Sequence, residues 1–563
     1  MDDIPRRRRQ NLPPQGCDGH LGVGGDYTEY HNIKLAASDD ARKDCIFACE
    51  YTKESRRVFG QNTWSFQSTR PVALSRLAYT TPKGWTLKTT MLNGKAPEPA
   101  VSSTATTETR VWEMRNLPAA RREPMGPTLA RIIPRLNIDL FPPAGMAQPP
   151  LVSFPTWDSV SKFATALQLA PVTPNEAVAA KTRALLATAG AGASLLERIN
   201  ALARFVQATS YISIDMNLGR GGGYTPRAAP EVLKTGYGDC KDKSTLLRSM
   251  LKTAGIESYA VVIHSGDRNW TTADWPTTHF NHMITAIKID DPAVTSPMIV
   301  DVPGLGRLLF FDPTDPFTPL GDLRYVNQGA LVLVLAGERG ALVRLPFTPP
   351  TANHMRRTIV AEFDSLGDIG ARITEHSTGQ AAVSERALYR ASSAKYADII
   401  RNWIGETVRL PKITKTEGAD GQQRGTFDLN VEFVAPGYAS MMRDKLLVFK
   451  PVILNRRDSV PLTQPRRTQP VIIEPRSYEE TADFAIPGNF TVDELPPPVE
   501  TKTAFGSYTA TCAYDPATRT IRCKRALVMQ AAEIPAKDYM SVRQFYETIQ
   551  KAEQAPVVLS RVK

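Results

Sequence analysis

The sequence predicts an α+β protein whose mixed central region lies between two β-rich regions. Three observations carry this expectation. Apolar residues at helical spacing concentrate between residues 158 and 254. Apolar runs of strand length follow them as far as Leu345. Ahead of residue 143 and beyond residue 351 the chain shows short β-type runs broken by turn residues.

A chain of 563 residues is too long for one core, and about three or four domains are expected. Hydrophobic content of 42% and charged content of 22% are those of a globular protein. No apolar run approaches the ~20 residues of a helical membrane span, so no transmembrane segment is expected. The net charge of +11 is spread out, with one cluster at Arg6–Arg9. That cluster reads as a solvated tail. Without a zinc-finger or P-loop pattern, no nucleic-acid partner is expected. No apolar stretch follows the arginines, so the chain as it stands shows no export signal.

Residues 1–25 lack periodicity and are expected to be a disordered basic tail. Residues 26–145 read as a β-sandwich-like domain, on runs such as Thr63–Phe66, Val72–Tyr79 and Arg110–Met114. A Pro-rich linker over 142–155 leads into the helical region. There Asp158–Phe163 has a capping start, and Thr173-Pro-Asn-Glu176 sets a proline in a first turn. Leu195, Leu196, Ile199, Leu202 and Val206 mark one face of a further helix. Tyr211–Ile214 reads as extended. Gly219–Gly223 reads as a loop without the lysine of a phosphate loop. Tyr259–Ile263, His282–Ile289, Leu308–Phe311, Leu331–Leu335 and Ala341–Leu345 are the expected core strands. Between the first two runs lies a polar loop with Trp270 and Trp275, which either contact substrate or anchor the loop. Residues 351–563 are expected to be β-rich, with a division near 465, a helix over Ser393–Trp403 and a last helix over Tyr539–Glu547.

The chemistry concentrates in Gly236-Tyr-Gly-Asp-Cys240-Lys-Asp-Lys-Ser244. The glycines mark a turn, Asp239 is a good N-cap, and Asp242 stands where a capping box wants an acid. Leu246, Leu247, Met250 and Leu251 then recur at helical spacing. Cys240 therefore falls in a first helical turn, where unpaired N–H groups and the positive helix end favour a thiolate. A small buried residue at a helix start is the plainer alternative. Three of the seven histidines, His264, His279 and His282, follow within 42 residues. His282 opens an apolar run, and Asp312 closes another, because Pro313 cannot continue a central strand. A thiol nucleophile needs a base, and the base an orienting group.

This order resembles the transglutaminase-like branch of the papain-like cysteine enzymes. Gly238-Asp-Cys240 with its Leu-rich helix, Phe280-Asn-His282 and Phe311-Asp-Pro-Thr314 look like the cysteine, histidine and aspartate motifs of that family. Tyr224-Thr-Pro-Arg-Ala228 and Tyr539–Glu547 resemble in particular a bacterial subgroup with an N-terminal domain of uncharacterised function and a C-terminal β-rich domain. The resemblance implies a helix bundle packed on an antiparallel sheet over residues 155–346. It implies Cys240 as nucleophile, His282 as base with His279 as its rival, and Asp312 as orienter. Asp239, Tyr224, Tyr211 and Asn281 are the expected oxyanion or site-lining residues. The implied reaction is acyl transfer through a thioester on an amide of a peptide or protein substrate, without a cofactor. Hydrolysis is favoured over cross-linking to an amine. The alternative is a non-catalytic binding or assembly protein of the cell envelope. Members of the subgroup are commonly exported, which implies a periplasmic or envelope location. The missing signal leaves the cytoplasm as the other possibility.

Six cysteines add one clue. Cys512 and Cys523 flank a predicted hairpin with its turn at Pro516–Arg519, which sets them opposite each other. They form either a cross-strand disulfide suited to an oxidising compartment or two free thiols on a sheet face. Cys45 and Cys49 have no partner at zinc-finger spacing, so no metal is expected.

Overall fold

The computed structural model describes residues 58–146, 150–215, 223–391, 395–421, 425–456 and 462–562, with isolated positions ahead of residue 58. Arg6–Arg9, Cys17, Cys45, Cys49 and most of the glycine-rich loop lie outside the described residues. So does the expected tail over 1–25, apart from Gln15–Gly16, which pairs with Lys34–Leu35.

The N-terminal domain consists of two three-stranded sheets. Gln61–Ser65, Arg135–Phe141 and Thr86–Leu92 form one; Val72–Pro82, Thr107–Leu117 and Ala100–Ser103 form the other. Alternation sends Phe66, Leu87, Trp112, Leu136 and Ile138 into a small shared core.

The central domain packs helices on one antiparallel sheet. The helices span Trp157–Leu169, Glu176–Ala189, Leu195–Ala208, Ala229–Thr235 and Cys240–Thr253. Thr156, Asn175, Ser194 and Asp239 cap four of them through side-chain acceptors. Asn175, not Glu176, is the boundary of the second helix, so Pro174 precedes the cap instead of sitting in the first turn. The six strands run in the order Ile299–Val302, Gly306–Phe311, His282–Lys288, Ser258–Ile263, Leu331–Leu335, Ala341–Arg344. Leu246, Leu247, Met250 and Leu251 of the Cys240 helix are fully buried with Val261, Ile263, Ile284 and Ile287 of the sheet. This packing places the helix N-terminus over the ends of two strands.

The C-terminal region is built on an eight-stranded sheet. Strand His354–Phe363 pairs in parallel with Arg476–Ala485 along its length. The sheet therefore includes strands from both sides of residue 465, where the sequence suggested a division. Three helices, Gly379–Ala391, Tyr396–Gly405 and Tyr539–Gln554, accompany it among the described residues. The helix expected over Ser393–Trp403 starts at Tyr396, and the one over Gly379–Ala391 was not anticipated. Buried charges cross the sheet: Arg357 donates to Glu375 at 2.7 Å and Glu480 at 3.0 Å, and Arg525 to Glu480 at 2.8 Å. Cys512 and Cys523 are directly opposed in neighbouring strands and joined by a disulfide.

Candidate active site

The local sequence explains how Cys240 is presented. Gly236 ends the preceding helix in a left-handed conformation, φ 73°. Gly238 passes so close to Asp242 that an added Cβ would meet the Asp242 Cβ at 2.7 Å. Asp239 then caps the helix, and Asp242 reaches back to the Asp239 N–H, completing the box. Asp242 is itself held by Arg227, whose N–H and Nε donate to it at 2.8 and 2.9 Å. Asp239 also pairs with Lys241. Asp239 also lines the cavity that Cys240 and His282 share. Burial pushes the Asp239 carboxyl upward, against the pull of Lys241.

His282 begins its strand, and Asp312 follows directly on Phe311 at the end of the neighbouring one. The His282 Nε2 atom lies 2.8 Å from Asp312 Oδ2. The other carboxylate oxygen accepts from the Thr314 hydroxyl at 2.6 Å and the Thr314 N–H at 2.9 Å. Asn327 Nδ2 approaches Asp312 Oδ2 at 3.4 Å. Burial works against a charge on His282. The Asp312 carboxylate and the contact with Cys240 outweigh it and push the imidazole up to about 10. Burial likewise opposes the Asp312 charge, yet His282 and Thr314 hold its carboxyl below the usual range. With Nε2 committed to Asp312, Nδ1 is the nitrogen left for the thiol.

His279, the rival base, packs edge-on against Trp275 at 5.3 Å and has its pKa lowered by burial. The two tryptophans anchor the loop: Trp275 is buried, and Trp270 stacks on His264 while donating to the His279 carbonyl. Asn281 clamps the same loop through Ser265, accepting from its N–H at 2.7 Å and donating to its carbonyl at 3.0 Å. Lys243, one turn into the Cys240 helix, is buried and donates to the carbonyls of Thr209 at 2.8 Å and Gln207 at 3.2 Å. Burial lowers its pKa to about 8, against the pull of Asp312 and Asp315.

Two cavities meet at this point. One of about 220 Å³ is lined by Cys240, His282 and Tyr224 together with apolar side chains. The other, about 790 Å³, is lined by His282, Asp312, Thr314 and Tyr211 and by residues of the Gly379–Ala391 helix. Tyr211 and Tyr224 thus line different cavities, both of which reach His282. Sequence reasoning missed Arg227, Thr314 and Asn327. The first two stand inside quoted motifs, and Asp312-Pro-Thr314 carries the pattern of a side-chain turn. Among the described residues no group of histidine, cysteine and carboxylate side chains is placed to hold a metal ion.

Cys240 at a helix mouth thus shares a cavity with His282, which opens one strand of an antiparallel sheet, and His282 pairs with Asp312 just past the end of the next. Residues 181–291 match the transglutaminase-like superfamily. Residues 32–121 and 444–559 match two domains of unknown function with solved structures, DUF3857 and DUF3858. The chain therefore carries a transglutaminase-like core region between regions that match DUF3857 and DUF3858. A candidate protease from Parabacteroides distasonis aligns over 89% of this chain and 76% of its own, at 14% identity and a TM-score of 0.55. That similarity establishes a shared fold. A candidate cysteine protease from Cytophaga hutchinsonii aligns over 45% of this chain and 74% of its own, at 10% identity and a TM-score of 0.18. No curated protein matches the sequence. No helix among the described residues is long and apolar enough to cross a membrane.

Proposed function

We propose that this protein is a cysteine acyl-transfer enzyme that cleaves an amide bond of a peptide or protein substrate. The observation that carries the reading is the Asp312–His282 pair, 2.8 Å apart, beside Cys240 at its helix N-terminus. Cys240 Sγ attacks the amide carbonyl carbon, and the Cys240 N–H donates to the developing oxyanion. The imidazolium of His282 gives its proton to the departing nitrogen, leaving a thioester. His282 then takes a proton from water, which attacks the thioester and frees the acid and the thiol. Asp312 stabilises the imidazolium and fixes its orientation.

Hydrolysis is favoured over transfer to an amine because a wide cavity of mixed polar and apolar lining reaches His282, through which water can approach. The protease assignment of the Parabacteroides protein, at the level of fold, agrees with this choice. The Cys512–Cys523 disulfide supports an oxidising compartment such as the periplasm. The test is incubation with a peptide library and a fluorescent primary amine, followed by mass spectrometry. New termini that vanish in Cys240→Ala and His282→Ala support hydrolysis. Amine-labelled products support transfer, and no product in either channel overturns the enzymatic reading.

A further inference from the structure

We propose that the apolar pocket beside Cys240 receives a bulky apolar side chain of the substrate, and that the N-terminal domain holds its walls in place. The inference rests on the peptide-amide reading above. It adds a side-chain class and gives the DUF3857 domain a task.

The pocket measures about 220 Å³, several times the ~30 Å³ share of one water molecule. Val160, Phe163, Ala164 and Leu167 line it from helix Trp157–Leu169, and Phe280 and Met283 from the His282 side. Cys240 and His282 stand in the same lining, so a side chain seated here lies next to the reacting carbonyl. Polar neighbours in the lining are already engaged, Asp239 with Lys241 and Asn281 with Ser265. Apart from the Thr278 hydroxyl, which has no hydrogen-bond partner, and the reacting pair, much of the remaining lining is carbon surface, and its removal from water favours an apolar group of matching size.

Both flanks of the pocket are tied to the start of the N-terminal domain's strand Gln61–Ser65 and the residues just ahead of it. Phe59 packs its ring 5.0 Å from Tyr224 and 5.6 Å from Phe163, both of which line the pocket. Gln61, two residues on, donates to the Pro276 carbonyl at 2.7 Å and accepts from the Thr278 N–H at 3.1 Å. Thr278 is a further lining residue. Phe59 lies just ahead of strand Gln61–Ser65 and Gln61 is its first residue, so both hold the pocket from one short stretch of chain.

The test uses two peptidyl fluoromethyl ketones, one with phenylalanine and one with glycine next to the reactive carbon. In each, Cys240 Sγ bonds to the methylene carbon as the C–F bond breaks and fluoride leaves. Labelling rates are followed by mass spectrometry, with iodoacetamide as the probe that needs no pocket. The wild type is expected to favour the phenylalanine probe by ~10-fold or more. Ala164→Phe, which fills the pocket, and Phe59→Ala, which removes the ring packed on Tyr224 and Phe163, are each expected to bring the ratio of the two rates towards one. Two variants guard against one failing to fold. Equal rates in the wild type, or a ratio unmoved in both folded variants, overturn the pocket assignment while His282-dependent iodoacetamide labelling stands. Loss of that His282 dependence overturns the underlying reading itself.

Discussion

His282 and Asp312 are thirty residues apart in sequence, yet their side chains meet at 2.8 Å because each stands at the end of one of two neighbouring strands. Thr314 holds the far oxygen of Asp312, so the carboxylate cannot turn away from the ring. Replacing Asp312 by asparagine keeps the size and removes the charge that supports the imidazolium. Asp312→Asn is expected to lower amide-cleavage kcat by on the order of 10³–10⁴, measured on whichever substrate the library identifies, with near-native circular dichroism.

The same pair predicts a pH dependence of stability. The folded-state pKa of His282, pushed up to about 10, lies above its ordinary 6.5. Its contribution is therefore complete below the ordinary value and is lost as pH rises towards the folded one. Lys243 runs the other way: its lowered value, about 8 against 10.5, favours the folded state as pH rises through that range. Lys243 is common to wild type and His282→Gln, so the difference between their urea midpoints isolates His282. That difference is expected to shrink between about pH 6.5 and pH 10. A constant difference contradicts the assignment.

Much of the site is legible in sequence because each member stands at a punctuation mark. Asp239 and Asp242 announce the helix start, the apolar run after His282 announces a strand, and Pro313 ends the strand before Asp312. The Gly379–Ala391 helix is not legible, because its buried face is largely polar. Gln380 donates to Asp322, and Arg386 to Asp420 and the carbonyls of Phe317 and Thr426. Hydrophobic spacing cannot reveal a face whose burial depends on distant partners. The grip of Gln61 on Pro276, 215 residues away, is invisible for the same reason. The eight-stranded sheet escaped because a parallel pairing between His354–Phe363 and Arg476–Ala485 crosses the apparent break at 465.

The buried charges of that sheet give a stability prediction. Arg357 is fully buried between Glu375 and Glu480. Arg357→Met leaves both carboxylates short of a partner and is expected to cost ~3–5 kcal/mol in urea unfolding.

Gly238 tests the presentation of the nucleophile. An added methyl would stand 2.7 Å from Asp242 Cβ and 3.3 Å from Val232 Cγ1. Gly238→Ala is expected to destabilise the fold by ~1–3 kcal/mol. It should also slow Cys240 alkylation by iodoacetamide, since the helix mouth must shift.

The most direct measurement of the central claim is that alkylation rate as a function of pH, in wild type and His282→Ala, with the modified residue identified by mass spectrometry. The account predicts labelling of Cys240 that persists at about pH 6, well below the ~8.5 of an ordinary thiol, and that is lost in His282→Ala. Indistinguishable profiles in the two proteins, both rising only near ~8.5, would contradict a nucleophile–base pair at this site.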